Sequence, residues 1–256
     1  MRLGWCTGLL LALLPSAGTA QSLAERVRQA PDGTLRMSFA AREGVCGSGP
    51  NSITITGRHD DAEWEHDCER GPVRVSLRVS GGRIAESETY VGGRWLAGRG
   101  PVTDLGLVPA REAAAVLLRL AVETEDEGGG ELITAATLAD SAVVWPELLR
   151  IARDTKLGEE TRRQSVFWLG QAAGEAAARG LDSIVEQGGS SDLEVRKHAV
   201  FALSQRPAEE GVPALIRIAR TNPHPELRKA ALFWLGQSED PRALALFEEL
   251  LLSSSR

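Results

Sequence analysis

A ten-residue pattern that occurs three times constrains the fold of this chain more than any other feature. The copies read RRQSVFWLGQ at residues 162–171, RKHAVFALSQ at residues 196–205 and RKAALFWLGQ at residues 228–237. Each copy begins with two cationic residues, has a phenylalanine near its middle and ends on glutamine, and successive copies begin 34 and 32 residues apart. A period of this length with helical patterning inside each unit predicts a stack of helix pairs, which is a helical solenoid.

The spacing of apolar residues around these copies predicts four helix pairs. The expected pairs are 131–141 with 143–154, 159–172 with 176–187, 192–205 with 209–221, and 225–237 with 241–252. The second helices align on a leucine that is followed three residues later by isoleucine or phenylalanine. These leucines are Leu148, Leu181, Leu215 and Leu244. Because one helix pair cannot bury its apolar stripe alone, the pairs are expected to stack on a common core.

The third pair carries residues that relate the chain to a known family. Residues 191–203, SDLEVRKHAVFAL, follow the pattern Asp-x-x-Val-Arg-x-x-Ala-x-x-Ala-Leu and resemble a HEAT repeat of the short bacterial type also found in phycobilin lyases. The resemblance covers about residues 131–252. Gly158 and His224 stand where this copy has Asp192, so the neighbouring copies depart from the pattern there. The resemblance implies stacked antiparallel helix pairs and a scaffold or protein-binding role, and it implies no shared chemistry.

The cationic pairs and the tryptophans of the repeats have expected structural roles. The cations are expected to pair with acidic residues of adjacent loops, such as Asp192, Glu194 and Glu226. Trp168 and Trp234 hold the same place in the first and third copies. We expect both indoles to pack between repeats, since large aromatic side chains mostly serve as core residues.

Upstream of the repeats, the pattern changes to the alternation that is typical of strands. Residues 73–79 alternate apolar and polar side chains, and Gly81-Gly82 supplies a two-residue turn before a return strand at residues 83–91. This predicts a hairpin in a half-buried antiparallel sheet. Further elements of this part are a short helix at 22–29 and strands at 34–40 and 52–56. The large aromatic residues expected at its core or rim are Trp64, Tyr90 and Trp95.

A helix and a glycine-rich stretch separate the two patterns. Residues 109–122 are rich in alanine and leucine at helical spacing, and residues 123–131 are acidic with three consecutive glycines, which predicts a flexible linker. The predicted fold class is therefore α+β, a small antiparallel β unit with one disulfide followed by an all-α solenoid. The expected divisions are 1–20 as a signal peptide, 21–104 as the β-rich domain, 105–130 as helix and linker, and 131–256 as the solenoid.

The first twenty residues have the pattern of a secretory signal peptide. Arg2 precedes the apolar residues 9–14, and small residues lead to an expected cleavage after Ala20. The apolar run is too short to span a bilayer. The chain is therefore expected to be secreted or periplasmic, without membrane insertion after the signal is removed.

Two cysteines remain in the expected mature chain, Cys46 and Cys68. In an oxidising compartment an isolated pair of cysteines is most simply a disulfide. We expect this bond to hold the β unit together.

The charge balance and the motifs restrict the function classes. After removal of residues 1–20 the chain keeps 28 basic and 35 acidic residues, a net charge of −7, which does not suit general nucleic-acid binding. No Gly-x-Ser-x-Gly elbow, phosphate loop or dinucleotide fingerprint occurs, so we predict no catalytic residue and no cofactor. Residues 59–67 combine two histidines with five acidic residues but lack a standard metal-ligand spacing. They are expected to be a solvated acidic loop rather than a metal site.

The predicted function is that of an exported, non-catalytic scaffold or adaptor for a protein or peptide partner. Two positions after each aligned leucine lie Arg150, Ser183, Arg217 and Leu246, and five positions after it lie Arg153, Glu186, Arg220 and Glu249. Both rows fall outside the apolar stripe and should point away from the core, on the second helices that line the concave side of a HEAT-like stack. Their mixed signs favour a protein or peptide partner. The predicted partner-binding residues are Arg150, Arg153, Glu186, Arg217, Arg220 and Glu249.

Two alternatives come from other functional classes. The chain could be an accessory lyase-like enzyme, because similar short repeats occur in chromophore lyases. It could also be a ligand-binding protein of the cell envelope that uses its N-terminal β domain.

Overall fold

A computed structural model describes residues 21–55, 68–98, 100–124, 127–172, 175–186 and 193–254. The predicted signal peptide, the acidic segment at residues 59–67, Trp64 and Asp192 lie outside the described residues.

In the described part of the chain, four strands form one sheet in the order β5-β4-β1-β6, and β2 and β3 form a separate hairpin. Helix α1 (Leu23–Arg28) precedes them. The strands are β1 (Gly33–Phe39), β2 (Val45–Gly49), β3 (Ser52–Ile55), β4 (Val73–Ser80), β5 (Arg83–Val91) and β6 (Val102–Leu107). Strands β1, β4 and β5 are antiparallel to their neighbours in this group, whereas β6 runs parallel to β1. The α+β prediction is confirmed, with the correction that the sheet includes one parallel pair.

The predicted hairpin is confirmed as β4 and β5. Gly81 and Gly82, which join these strands, have φ angles of 59° and 74°. This positive-φ conformation is accessible to glycine at little cost, so the glycine pair fixes the turn and with it the pairing of the two strands.

The alternating pattern places one face of the sheet in the core. Leu35, Met37 and Phe39 on β1 are at most 1% exposed, and the alternate residues of β4 from Val73 to Val79 are also buried. They belong to one apolar cluster with residues of α2 (Ala110–Glu123) and α3 (Glu127–Thr137). Each such side chain contributes about 1.5–3 kcal/mol by leaving water.

The glycine-rich stretch is not a flexible linker over its described part, because Gly128, Gly129 and Gly130 lie in the first turn of α3. A Cβ atom on Gly129 would lie 2.6 Å from Thr161 Oγ1 and 2.8 Å from the carbonyl oxygen of Ala121. The lack of a side chain at this residue therefore lets α3 approach its neighbours closely. Helix α3 is part of the core beneath the sheet rather than a spacer.

The disulfide is confirmed between Cys46 and Cys68, whose Cα atoms lie 5.4 Å apart. Next to it, the amide groups of Gly47 and Glu69 each donate to the carbonyl oxygen of the other residue, at 3.0 and 2.9 Å. The bond thus links β2 to the segment that leads into β4.

The predicted helix pairs are confirmed, with ends that differ by a few residues. The remaining helices are α4 (Trp145–Arg153), α5 (Glu159–Gln171), α6 (Glu175–Glu186), α7 (Leu193–Ser204), α8 (Ala208–Thr221), α9 (Pro225–Gly236) and α10 (Pro241–Ser254). The first helices α3, α5, α7 and α9 contact one another in succession, and so do the second helices α4, α6, α8 and α10. This two-layer stack is the predicted solenoid.

The leucine alignment holds for three pairs and is wrong for the last. Leu148, Leu181 and Leu215 are at most 1% exposed, but Leu244 is 61% exposed. On α10 the buried residues are instead Ala243 and Leu246. Helix α10 is the last of the stack, and among the described helices only α8 and α9 make substantial contacts with it. The face that α10 buries therefore differs from the face buried by the inner second helices. Leu246, predicted to point outward, therefore lies in the core.

The two cations that begin each repeat have different environments. Arg196 is 5% exposed, and its Nε donates to the carbonyl oxygen of Val185 in the last turn of α6, at 2.9 Å. The next residue, Lys197, pairs at 3.1 Å with Glu194, three residues earlier on the same helix. A buried guanidinium thus meets the carbonyl end of the preceding helix, where cations are favoured. The predicted pairing with Glu194 and Glu226 is confirmed. Both acids lie in the first turn of the same helix as their lysine rather than in an adjacent loop, which corrects the predicted position.

A similar arrangement occurs in the last repeat, where the arginine is only partly buried. Arg228 donates to the carbonyl oxygens of Asn222 and Pro223 after α8, and Lys229 pairs with Glu226 at 2.9 Å.

Substitutions at the neighbouring residues Arg196 and Lys197 should have different effects on stability, because the first is buried and the second lies in a surface ion pair. Arg196→Met should lower the free energy of unfolding by about 2 kcal/mol, since it removes the donor to a buried carbonyl. Lys197→Met, a matched change at an exposed pair, should cost less than about 0.5 kcal/mol. Urea unfolding followed by circular dichroism checks both values, and equal losses in the two variants would contradict this assignment.

Candidate protein-binding surface

All six predicted partner-binding residues lie exposed on the second helices of the stack. We call these residues, Arg150, Arg153, Glu186, Arg217, Arg220 and Glu249, the charged row. They occupy α4, α6, α8 and α10, so the charged row extends over every helix pair of the solenoid in the described structure.

Contacts between neighbouring helices make the charged row continuous. The guanidinium of Arg153 on α4 donates to Ser183 Oγ on α6. Arg217 on α8 pairs with Asp182 on α6 at 2.7 Å, and Arg220 on α8 pairs with Glu249 on α10. Each step from one second helix to the next is therefore bridged by a polar contact.

Two members of the charged row make no such bridge in the described structure. Arg150 pairs at 2.6 Å with Glu147 on its own helix. The hydrogen bond to this carboxylate raises the pKa of Arg150. Glu186 lies exposed at the end of α6 and makes no contact with another member of the row among the described residues.

Sequence reasoning missed Asp182 as part of this surface. It follows the aligned Leu181 directly, a position that carries apolar residues in the other second helices. The sequence did contain a signal for this contact. Asp182 is an acid at a position that is apolar in the other repeats, and the next repeat has arginines on its second helix.

The bridges of the charged row lie at the surface. The side chains of Arg217, Arg220 and Glu249 are 48%, 47% and 59% exposed. Ion pairs with this exposure contribute at most about 1 kcal/mol each. The solenoid does not depend on them for its stability, and each charge can exchange its present partner for one on another molecule.

The two aligned tryptophans, Trp168 and Trp234, lie on the first helices α5 and α9. Trp168 is 8% exposed, and its indole Nε1 donates to Thr134 of the preceding pair at 3.2 Å. The ring of Trp234 lies 4.9 Å from that of Phe201 in the preceding pair. The prediction that these tryptophans pack between repeats is confirmed.

Metal-binding chemistry is not assembled in the described structure. No group of three or more histidine, cysteine, aspartate or glutamate residues is placed to hold a metal ion within the described ranges. His198 lies half-buried on α7, and its pKa is lowered by burial and by the nearby Arg163. The acidic segment at residues 59–67 is outside the described residues, so the expectation for it stays a prediction.

Over the part of the chain with described structure, no helix is both long enough and apolar enough to pass through a bilayer.

Comparison with known proteins bears on the helical part of the chain. Residues 181–256 match the model of a family described as HEAT repeats. No curated protein matches the chain. The family match confirms the resemblance drawn from residues 191–203, and it carries no indication of phycobilin lyases. The C-terminal helix pairs of this chain are therefore similar to HEAT repeats, a class of repeat that generally mediates contacts between proteins.

Proposed function

We propose that the protein is an exported, non-catalytic scaffold or adaptor that binds a protein or peptide partner through the charged row. The observation that carries this proposal is a row of exposed charges on α4, α6, α8 and α10, with a polar contact between each second helix and the next. An extended solenoid offers such a surface to one long ligand, so that several weak contacts add up.

The composition of the charged row favours a protein partner. Its four arginines are interspersed with Glu186 and Glu249, and Asp182 lies beside Arg217, so the surface has no single sign. A nucleic acid requires a basic surface that releases counterions, whereas a polypeptide can present acidic and basic groups in a complementary order. The net charge of −7 outside residues 1–20 supports the same choice.

Export follows from the proposed cleavage after Ala20. Protein recovered from the periplasm or the medium should begin at Gln21, and N-terminal sequencing checks this. A mature protein that retains Arg2 would contradict the proposal of a cleaved signal.

Reversal of the arginines in the charged row tests the proposed binding site. The variant carries Arg150→Glu, Arg153→Glu, Arg217→Glu and Arg220→Glu. Because these side chains are exposed, its helical circular dichroism should equal that of the wild type. Recovery of the partner from envelope and extracellular fractions by immobilised mature protein should fall at least about tenfold, since like charges would then face each other.

A matched control variant reverses four exposed cations elsewhere, at Arg28, Arg78, Lys156 and Lys229. It has the same change in net charge and should recover the partner as well as the wild type. If the charged-row variant kept its fold and recovered as much partner as the wild type, the binding site would lie elsewhere. Turnover of a hydrolase or lyase substrate by the mature protein, abolished by one side-chain change, would contradict the non-catalytic role.

A further inference from the structure

A short segment crosses the outer face of the β sheet and is held there by two arginines. We call residues 92–96, which follow β5, the strap. Arg74 on β4 donates from Nε to the carbonyl oxygen of Gly92 at 2.8 Å and from a terminal nitrogen to that of Gly93 at 2.7 Å. Arg36 on β1 donates to the carbonyl oxygen of Leu96 at 2.9 Å. These bonds fix both ends of the strap over the sheet.

The strap borders an open cavity between itself, the outer sheet face and β2. Its volume is about 720 Å³, within the usual range for small-molecule sites. The chemically distinctive lining residues are Arg36, Arg74, Arg94, Glu88, Tyr90 and Trp95. The rings of Tyr90 and Trp95 meet edge to face with their centroids 5.9 Å apart, so the cavity has an aromatic wall as well as charged groups.

Two residues that line this cavity each have a buried donor without an acceptor in the described part of the chain. Arg36 Nε and Trp95 Nε1 make no hydrogen bond to any described residue. The two groups are neighbours, because the guanidinium carbon of Arg36 lies 4.7 Å from the centroid of the Trp95 ring. Leaving a buried donor without an acceptor is costly, and two adjacent donors of this kind suit an oxygen acceptor supplied by a ligand.

The charges of the cavity favour an anion. It contains three arginines and two glutamates. Glu69 already accepts a bond from the amide of Gly93 at 2.6 Å, and Glu88 accepts one from the Tyr90 hydroxyl at 2.8 Å. Both carboxylates thus accept from protein donors, as Arg74 already donates to protein acceptors. The arginines outnumber the glutamates, so the lining of the cavity has a net positive charge.

We infer that this cavity binds a small organic acid. Its carboxylate or phosphate group would accept from Arg36 and Trp95, and its apolar part would lie against the ring of Tyr90. A planar oxyanion suits a guanidinium, which can donate two bonds to it. The strap residue Arg94, exposed beside Trp95, adds positive charge at the cavity.

Isothermal titration calorimetry of the mature chain, residues 21–256, tests the inference with three probes of similar size. Benzoate and phenyl phosphate should bind, and neutral benzamide should bind roughly tenfold or more weakly, because it lacks the charge. Whether benzoate or phenyl phosphate binds more tightly distinguishes a carboxylic acid from a phosphate ester, and either order supports an anion site.

Conservative variants identify the donors. Trp95→Phe keeps an aromatic ring without its N–H, and Arg36→Lys keeps the charge without Nε. Each should weaken benzoate binding roughly tenfold. Arg78→Gln is the matched control and should leave the affinity unchanged, since Arg78 is an exposed residue outside the cavity, paired with Glu86.

Three results would overturn the inference. They are benzamide binding as tightly as benzoate, no binding of either acid at millimolar concentration, or wild-type affinity in both folded conservative variants. If a variant failed to fold, the comparison of benzoate with benzamide on the wild type would still decide. None of these results bears on partner binding by the charged row, which lies on the solenoid.

Discussion

Replacement of Phe39 by alanine should lower the free energy of unfolding by about 4 kcal/mol, the typical cost of removing a fully buried phenylalanine. Phe39 is 0% exposed on β1. It lies in the apolar cluster that joins the sheet to α2 and α3. The substitution leaves a cavity at this junction, and neighbouring side chains fill such a cavity only in part. Denaturant unfolding of the mature protein, monitored by circular dichroism, provides the measurement.

The matched control is Phe233→Ala in the last repeat. Phe233 is 58% exposed and contacts Trp234, with ring centroids 4.9 Å apart. Its loss should cost less than about 1.5 kcal/mol, the upper value for one aromatic pair. Similar losses in the two variants would contradict the assignment of Phe39 to the core and of Phe233 to the surface.

Removal of the disulfide should have the second large effect. The double variant Cys46→Ser, Cys68→Ser should lose about 3 kcal/mol of unfolding free energy in the chain-entropy account. The bond joins residues 22 positions apart, and without it the unfolded chain regains the freedom of that loop. Unfolding of the oxidised wild type and of the double variant in the same denaturant gives the difference.

Reduction of the wild type supplies the control, because it opens the loop without changing the sequence. Reduced wild type and double variant should agree to within about 1 kcal/mol, apart from the effect of serine at the buried Cys46 site. Two free thiols in protein recovered from outside the cytoplasm, detected by mass spectrometry of non-reduced peptides, would contradict the Cys46–Cys68 bond.

The elements that sequence reasoning found are those with a strong local signal. The hairpin of β4 and β5 shows strict alternation and a glycine pair at the turn, and each solenoid helix has its own apolar stripe. Strands β2 and β6 were missed. Strand β2 has two glycines in five residues, and β6 contains Asp104 and Gly106, so both have the composition of loops. Their pairing depends on distant partners, as β6 depends on β1.

The glycines at residues 128–130 show that a glycine can indicate either a flexible linker or a close contact between helices. A run of three glycines beside acidic residues is typical of a linker. Here residue 129, in a helix, is a glycine because Thr161 and Ala121 leave no room for a side chain. That crowding arises from the packing of α3 against α2 and α5, which a local reading of the sequence does not contain.

Repeat alignment predicted the exposure of the charged row but not its contacts. The exposure follows from the position of each residue relative to the buried leucines. The pairing of Arg217 with Asp182 depends on the distance and rotation between two helices of successive repeats. Likewise, Arg36 stacks on Trp95 although the two residues are nearly sixty positions apart. Prediction of this contact would have required the register of the sheet and the path of the strap.

Hydrogen–deuterium exchange of the mature protein, alone and with its captured partner, tests the central claim most directly. Binding along the charged row predicts slower exchange in peptides from α4, α6, α8 and α10, with little change in the β sheet. Protection confined to residues 33–98, with exchange in these four helices unchanged, would contradict the solenoid as the binding surface.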